Sequence, residues 1–441
     1  MAFRFLHTAD LHLGKVFHEH PLLEDQLFML DQLVETLACA SYRALVISGD
    51  VYDRSIPSPG AVSLFGGFLG KLKARRPDLD VLILPGNHDS ASRLGFGREL
   101  FSELGIHFVT DPEGADRPVI VRDSGSNAAC AFFLLPFMYP GCLSSSRDGS
   151  LNSGREDGPH GENTEGEEES RGVEAGGDFL RSQARLAEEA ASRLEKARQE
   201  ALEAGAEHTV LAAHLFAAGG QESDSERVFL GNAERVDAGL FALFDYVALG
   251  HLHRCQKAGR NCWYSGSPLA YSFGEAETSE KCFLSVELNG GNDGNSVTVT
   301  RLPVKPLRRM RRLRGNFSRF FRDAGDPVLK EAEDDYLEII LDDSSLVENP
   351  LPLLRQRFPR ILSVRQEEAL ACLRGNFPAP SSVSGSGEDR RSPVEDFEDF
   401  LADVYGNPEA SGPEDLAREN REKTGLFREL LAELEQTRHE T

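Results

Sequence analysis

The sequence predicts an α/β fold, and two observations carry that prediction. Through residues 3–84 short apolar runs alternate with amphipathic segments of helical period, in the order strand, helix, strand, helix, strand that suits a sheet covered by helices. Along the whole chain, five apolar runs end in a short turn or directly in Asp, Asn or His. In open α/β sheets the ligand site lies just beyond the carboxyl ends of the strands, so the five ends are read together.

The elements follow in order. Residues 3–7 are an apolar run opening onto Asp10 and His12, two apart and so on one face of an extended segment. Leu23, Leu27, Leu30, Val34 and Leu37 recur at helical spacing. The run at 44–47 stops at Ser48-Gly49-Asp50, with Asp53 three residues on; glycine allows the sharp turn that brings Asp50 to the sheet rim. Val62, Phe65, Leu69 and Leu72 predict a second helix, stopped by Pro77, and the run at 81–84 ends in Asn87, His88 and Asp89. Another buried strand is read at 128–138. Residues 141–177, rich in Ser, Gly and Glu, predict an acidic disordered insertion, and 178–204 a surface helix with a thin apolar stripe. The runs at 209–213 and 246–249 end at His214 and at His251 and His253. Residues 282–287 and 296–302 predict a hairpin that closes the first domain, 1–302. A smaller α+β domain follows at 303–375, with strands at 336–341 and 361–364 and a helix at 353–358. A Pro/Ser/Gly linker (376–393) then tethers two amphipathic helices within 394–441. Two such helices cannot bury their apolar faces alone, so they are expected to dock on a partner.

Composition sets limits. Among 441 residues, 40% are apolar and 27 are Phe, enough for a sizeable core, and no run approaches the ~20 apolar residues of a membrane span. The first ten residues lack the pattern of a secretory signal. Seven scattered cysteines without a CxxC pair suit free thiols in a reducing cytoplasm. The net charge of −24 speaks against nucleic acid as a partner, but many acids sit in the insertion and the tail. Residues 301–314 hold seven Lys or Arg and no acid, so Arg308, Arg309, Arg311, Arg312 and Arg314 are either a solvated face or contacts to a DNA backbone.

The strand-end residues are Asp10, His12, Asp50, Asn87, His214, His251 and His253. Oxygen and imidazole without thiolate suit Mn, Fe, Zn or Mg. Seven ligands are too many for one ion with open positions and suit two ions sharing Asp50, whose two oxygens can bridge. Two ions about 3.5–4 Å apart activate water and clamp both oxygens of a phosphoryl displacement. His88 is then a candidate general acid, and Asp53 a candidate orienter of its imidazole. A single histidine at a strand end is more often structural; five ends in one register are what distinguish this set.

In order, DLH, GDVYD, GNHD, AHLF and GHLH resemble the five motifs of the calcineurin-like metallophosphoesterases. SGDVYDRSIPSPGAV, YSGSPLAYSFGEAE and LRQRFPRILSV further resemble the SbcD nuclease family over roughly residues 1–375. The resemblance implies a sandwich of two sheets flanked by helices, a capping domain over DNA at 303–375, and Mn²⁺-dependent exonuclease (3′ to 5′) and endonuclease activity in DNA end processing. It implies that Asp10, His12, Asp50 and His253 hold one ion and Asp50, Asn87, His214 and His251 the other, with His88 catalytic. It also implies a cytoplasmic homodimer within a heterotetramer, in which the helices at 394–405 and 414–436 bind an SbcC-like ATPase. A phosphatase for nucleotides or phosphoproteins would use the same metal site. A binding scaffold with a vestigial site is disfavoured because no ligand position is missing.

Overall fold

The structure, a computed structural model, describes residues 2–123, 128–143, 182–218, 220, 235–290, 296–322, 325–366, 397, 423–425 and 427–428. The chain divides into two units, Met1–Leu373 and Arg374–Thr441.

The first unit is built on two sheets. Strands β1 (Phe3–Thr8), β2 (Val16–Phe17), β3 (His20–Pro21), β4 (Ala44–Ser48), β5 (Asp80–Leu84), β6 (Ile106–Phe108), β7 (Val119–Arg122), β8 (Ala129–Leu135), β9 (His208–His214), β10 (Tyr246–Gly250), β11 (Gln256–Lys257), β12 (Cys262–Tyr264), β13 (Cys282–Asn289) and β14 (Ser296–Pro303) supply them, apart from a small β2–β3 ribbon. The first sheet runs β14-β13-β1-β4-β5-β6 and the second β11-β12-β10-β9-β8-β7. At the centre of each the pairing is parallel: β1 with β4, β4 with β5, β8 with β9 and β9 with β10. Strands buried on both faces read as unbroken apolar runs, as 44–47 and 129–135 do. Phe3, Phe5, Val46, Leu82, Phe132, Val210, Tyr246 and Val286 fill the space between the sheets. The expected hairpin is present as β13 and β14, paired antiparallel from Cys282↔Pro303 to Asn289↔Ser296.

Helices α1 (Leu23–Cys39) and α2 (Pro59–Arg75) cover the outer face of the first sheet. Ser58 caps α2 by accepting the Ala61 N–H, and Pro59 suits its first turn. The inward face of each helix is shifted from the predicted stripe. Met29, Leu30, Leu33, Val34 and Leu37 are buried in α1 while Leu27 is 42% exposed; in α2, Phe65, Phe68, Leu69 and Leu72 are buried and Val62 is 48% exposed. The expected lists keep the three- and four-residue spacing but start at the edge of the apolar stripe; the buried sets, with the adjacent pairs 29/30, 33/34 and 68/69, mark its centre. Two short helices follow β5, α3 (Ala91–Leu94) and α4 (Arg98–Ser102). The helix expected at 178–204 is α5 (Gln183–Glu203), and its thin stripe is deceptive. Leu186, Ala187, Ala190, Leu194 and Ala201 are buried against the second sheet, the alanines permitting close approach.

Beyond β14 comes α/β structure on a smaller scale. The basic segment is itself a strand, β15 (Met310–Gly315), parallel to β16 (Tyr336–Leu341), which is parallel to β17 (Ile361–Arg365). Helices α7 (Phe317–Arg322), α8 (Pro327–Glu331) and α9 (Pro350–Arg355) lie in the crossovers, while α6 (Phe273–Thr278) belongs to the larger part. This sheet has its own core of Phe320, Leu329, Leu337, Ile339, Leu354 and Phe358. The bulk of the acidic insertion, the linker and most of both tail helices lie outside the described residues. In the second unit the rings of Phe397 and Phe427, one from each expected helix, stack 4.2 Å apart. Among the described residues no helix is long and apolar enough to cross a membrane, and Cys39, Cys130, Cys142, Cys255, Cys262 and Cys282 are free thiols.

Candidate metal centre

The parallel strands β1, β4, β5, β9 and β10 bring their carboxyl ends to one place where the two sheets meet. Asp10 follows β1, Asp50 follows β4, Asn87 and His88 follow β5, His214 ends β9, and His251 and His253 follow β10. The backbone there is held in a conformation side chains avoid. Among the described residues only seven non-glycines have positive φ, and four of them are Asp10 (54°), His12 (42°), Asp50 (50°) and His251 (107°). Left-handed backbone costs on the order of 1–3 kcal/mol per residue and persists where surrounding contacts impose it. Glycines allow the crowding. A Cβ on Gly86 would stand 2.1 Å from Asp50 Oδ1, one on Gly49 2.2 Å from His214 Nδ1, and one on Gly250 1.8 Å from the Ser48 carbonyl.

The donor atoms fall into two sets. In one, His12 Nε2 and His253 Nε2 are 3.1 Å apart, and Asp10 lies with both in a group of ligating atoms within 4.8 Å of one another. In the other, Asn87 Oδ1 is 3.0 Å from His214 Nε2 and 3.1 Å from His251 Nδ1, with the two histidine nitrogens 3.3 Å apart. Asp50 stands between them: its Oδ2 is 3.7 Å from His12 Nε2 and 3.5 Å from His214 Nε2, while Oδ1 accepts the His88 N–H at 2.9 Å.

The opposite edge of most of these rings is committed to an acceptor. His12 Nδ1 faces Asp53 Oδ1 at 3.5 Å, His253 Nδ1 faces Glu275 Oε1 at 3.2 Å, and His214 Nδ1 donates to the Ser48 carbonyl at 2.9 Å. Glu275 and the Ser48 carbonyl fix the ring proton of His253 and His214 on Nδ1 by hydrogen bonds. The charge of Asp53 favours it there on His12, whose Nδ1 makes no hydrogen bond among the described residues; a lone pair is then left on each Nε2. His12 Nε2 and His253 Nε2 therefore confront each other lone pair to lone pair. A cation between them resolves that repulsion, so the donor set fits a bound metal ion.

Protonation agrees. Burial holds His12 down to about 4 and His251 to about 3, and it lowers His214 as well, so these imidazoles are neutral at neutral pH. Burial works upward on Asp50, but the imidazoles of His214, His12 and His88 outweigh it and bring the carboxyl to about 2. Neutral imidazole and ionised carboxylate are the forms that bind metal.

Residues 3–255 of the chain match the calcineurin-like phosphoesterase family. The chain belongs to that family. It is thus a phosphoesterase of a hydrolase family that uses divalent metals, and its two-sheet α/β architecture is that fold. Among solved structures it is similar to the calcineurin-like phosphoesterase YfkN from Bacillus subtilis, at 11% identity over 68% of this chain and 90% of that one, with a TM-score of 0.35. It is also similar to TT1561 of Thermus thermophilus, at 12% identity over 68% of this chain and 99% of that one, with a TM-score of 0.29.

The structure of this phosphoesterase corrects one sequence expectation and adds residues to the site. His88 Nδ1 does meet Asp53, but at the backbone carbonyl, 3.0 Å away. The Asp53 carboxylate turns instead toward His12 and the Lys15 ammonium, 2.7 Å off. Burial raises the Asp53 carboxyl and His12 and Lys15 lower it further, leaving it well below the usual carboxylate range. Asp89 was missed as a separate element of the site. Its carboxylate accepts the N–H groups of Val51 at 3.0 Å, Tyr52 at 2.9 Å and Gly86 at 3.0 Å, tying two motif loops together. Glu275 was missed too. It is buried, and Lys281 Nζ lies 2.7 Å from its Oε2. Glu275 lies within the segment 264–277 that carries the family resemblance, and its spacing from Ser272 is that of a helix cap; the Glu275 N–H does donate to Ser272 Oγ. The aromatic rim of Phe137, stacked on His251, and Tyr139, whose Oη donates to the Asn87 carbonyl at 3.0 Å, had no sequence signal.

The five arginines offered as DNA contacts are not gathered at this site. Arg308 pairs with Glu24 and Asp25, Arg309 with Glu331, Arg311 with Glu331 and Asp335, and Arg312 with Glu277 and Glu338. Arg314 lies on the same strand, β15. Arg308, Arg309, Arg311 and Arg312 are thus matched by carboxylates of the chain itself. Arg308 and Arg312 also tie the small three-stranded sheet and the segment leading into it to α1 and α6.

Proposed function

We propose that the chain is an SbcD-type DNA nuclease, hydrolysing phosphodiesters with two divalent ions, Mn²⁺ foremost. Asp10, His12, His253 and Asp50 would hold one ion, and Asp50, Asn87, His214 and His251 the other. The observation that carries the phosphoester chemistry is the pair of donor sets meeting on Asp50, with His88 beside them. When bound, the two ions would supply an activated water and positive charge on the scissile phosphate.

The chain's own residues do the rest. Asp50 holds both sets in register and, through Oδ1, fixes the His88 backbone. The Asp53 carbonyl accepts from His88 Nδ1, so Nε2 is the nitrogen that would meet the departing oxygen. To act there as an acid the ring carries a second proton on Nε2, which it passes to that oxygen, returning to the neutral Nδ1–H form. Phe137 lies flat against His251 and shields it on one side.

DNA as substrate rests on the sequence resemblance at 48–62, 264–277 and 354–364, and on the extra domain beyond residue 303. The arginine run on β15 is not among the supports. Partnership with an SbcC-like ATPase rests on the two tail segments, whose Phe397 and Phe427 stack on each other. Self-association is supported by Phe96, 83% exposed in the link between α3 and α4, and Leu100, 78% exposed on α4. The setting would be the cytoplasm, where free thiols persist.

The test is purified full-length chain with Mn²⁺ and end-labelled linear duplex DNA, with and without an SbcC-like ATPase and ATP. Metal-dependent shortening of the DNA is the expected result. Brisk hydrolysis of small phosphomonoesters with DNA untouched in every condition would overturn the nuclease reading.

A further inference from the structure

The two donor sets are backed by different chemistry. On one side, both histidines face a carboxylate that is itself neutralised by a lysine: His253 is hydrogen-bonded to Glu275, which pairs with Lys281, and His12 lies 3.5 Å from Asp53, which pairs with Lys15. The two relays come from unrelated parts of the chain yet have the same order and the same 2.7 Å carboxylate–ammonium distance. Asp10 groups with both of these histidines, and its carboxylate also lies with Asp50 and the single histidine His214 of the other set. On the other side His214 rests on the Ser48 backbone carbonyl, and the partner of His214 and His251 is the neutral amide of Asn87. Asp50 is common to both and favours neither.

A carboxylate behind an imidazole makes its far nitrogen a stronger donor than a peptide carbonyl does, and loss of such a partner weakens metal binding by about 10–100-fold. A charged ligand in place of an amide adds Coulombic attraction for a divalent ion. We infer that the two metal positions are unequal: the Asp10, His12, His253 set binds first and holds its ion tightly, and the Asn87, His214, His251 set takes an exchangeable second ion. Glu275 and Lys281 are positioning residues for the first. Glu275 is 1% exposed, also receives the Tyr271 N–H at 3.2 Å, and sits on α6 at the buried end of the relay. Lys281 donates to the His253 carbonyl at 2.9 Å as well, so the pair grips both ends of that residue. The inference rests on the two-ion reading of the site but not on the identity of the substrate.

The experiment is titration of the metal-free full chain with Mn²⁺, followed by calorimetry and by the spin-resonance signal of free Mn²⁺. Two resolved steps are expected. Asn87→Ala should abolish the weaker step and spare the tighter one. Glu275→Gln should weaken the tighter step about 10-fold or more, with the weaker step little changed. Because that variant strands Lys281, the double variant Glu275→Gln, Lys281→Met separates the roles. It should recover thermal stability while the tight step stays weak. Recovery of tight binding in the double variant would reduce Glu275 to a structural residue and overturn its assignment. Two steps of equal affinity, or weakening of only the second step by Glu275→Gln, would overturn the inequality. Absence of any Mn²⁺ binding would sink the two-ion reading with it, whereas failure to cut DNA with both steps intact would sink only the nuclease reading.

Discussion

Single residues at this centre separate chemistry from scaffolding. His88 contributes a ring close to the donor sets and a backbone N–H to Asp50, so His88→Leu removes only the ring. Cleavage is expected to fall by about 10²-fold or more, the usual range for a lost general acid, with metal content measured by atomic emission nearly unchanged; loss of metal would make His88 a ligand instead. Asp89 does the opposite work. Burial and the neighbouring Asp50 push its carboxyl up to about 7, against the pull of three backbone N–H donors. Asp89→Asn leaves one acceptor oxygen for three donors, and a stability loss of about 2 kcal/mol in denaturant unfolding is expected. Away from the metals, burial between the sheets lowers His7 to about 3, while its Nδ1 lies 3.0 Å from Tyr246 Oη. The unfolded chain takes up a proton on this group below its ordinary 6.5, and the folded chain does so only near 3. Its contribution is therefore complete above 6.5 and is lost as the pH falls. From about pH 7.5 to about pH 5 the loss is about 2 kcal/mol. A His7→Gln variant should show a correspondingly shallower decline in stability; an unchanged pH slope would mean that the ring is not buried neutral. The ligand residues were legible because each stands at a strand end. The Asp53 contact was not, because a sequence does not tell a carboxylate from the carbonyl of the same residue. Glu275 was hidden behind a spacing that also caps helices.

At the scale of elements, the site is made by strand ends that bend abruptly, and glycines permit the bending. Gly250 is the most constrained: its missing side chain leaves room for the Ser48 carbonyl, which also holds His214. Gly250→Ala forces β10 and β4 apart where both donor sets meet. Its cost should exceed the roughly 1 kcal/mol of an ordinary overpacked site, reaching about 3 kcal/mol, and metal binding should weaken with it. Unaltered stability and metal content would show that the strand ends have slack. The order of strands and helices through residue 84 was legible because apolar runs buried on both faces are continuous and helices carry a 3.6-residue stripe. Inward faces were less so. Phe68 and Val62 are both apolar, and only the sheet beneath α2 decides which one is buried. In α5 the alanines at 187, 190 and 201 supply the packing that leucines usually announce. The basic strand β15 was unreadable as a strand because its sequence, Met-Arg-Arg-Leu-Arg-Gly, shows no apolar alternation, and its Arg311 and Arg312 are matched by carboxylates from elsewhere in the chain.

Across the first unit, two sheets deliver ligands to one point, and a small parallel sheet is fastened to α1 and α6 by ion pairs. Arg308 reaches Asp25, which is buried in α1 and also receives the Tyr336 hydroxyl at 2.7 Å. Which ends converge is a property of sheet order, not of local sequence; the shared register of five motifs stood in for it. The central claim is that Asp50 joins two ions into one centre. Spin resonance of the Mn²⁺-loaded full chain tests it most directly. Two ions sharing one carboxylate at about 3.5–4 Å should give an exchange-coupled spectrum that collapses in Asp50→Ala. Isolated-ion spectra from the fully loaded wild-type chain would contradict it.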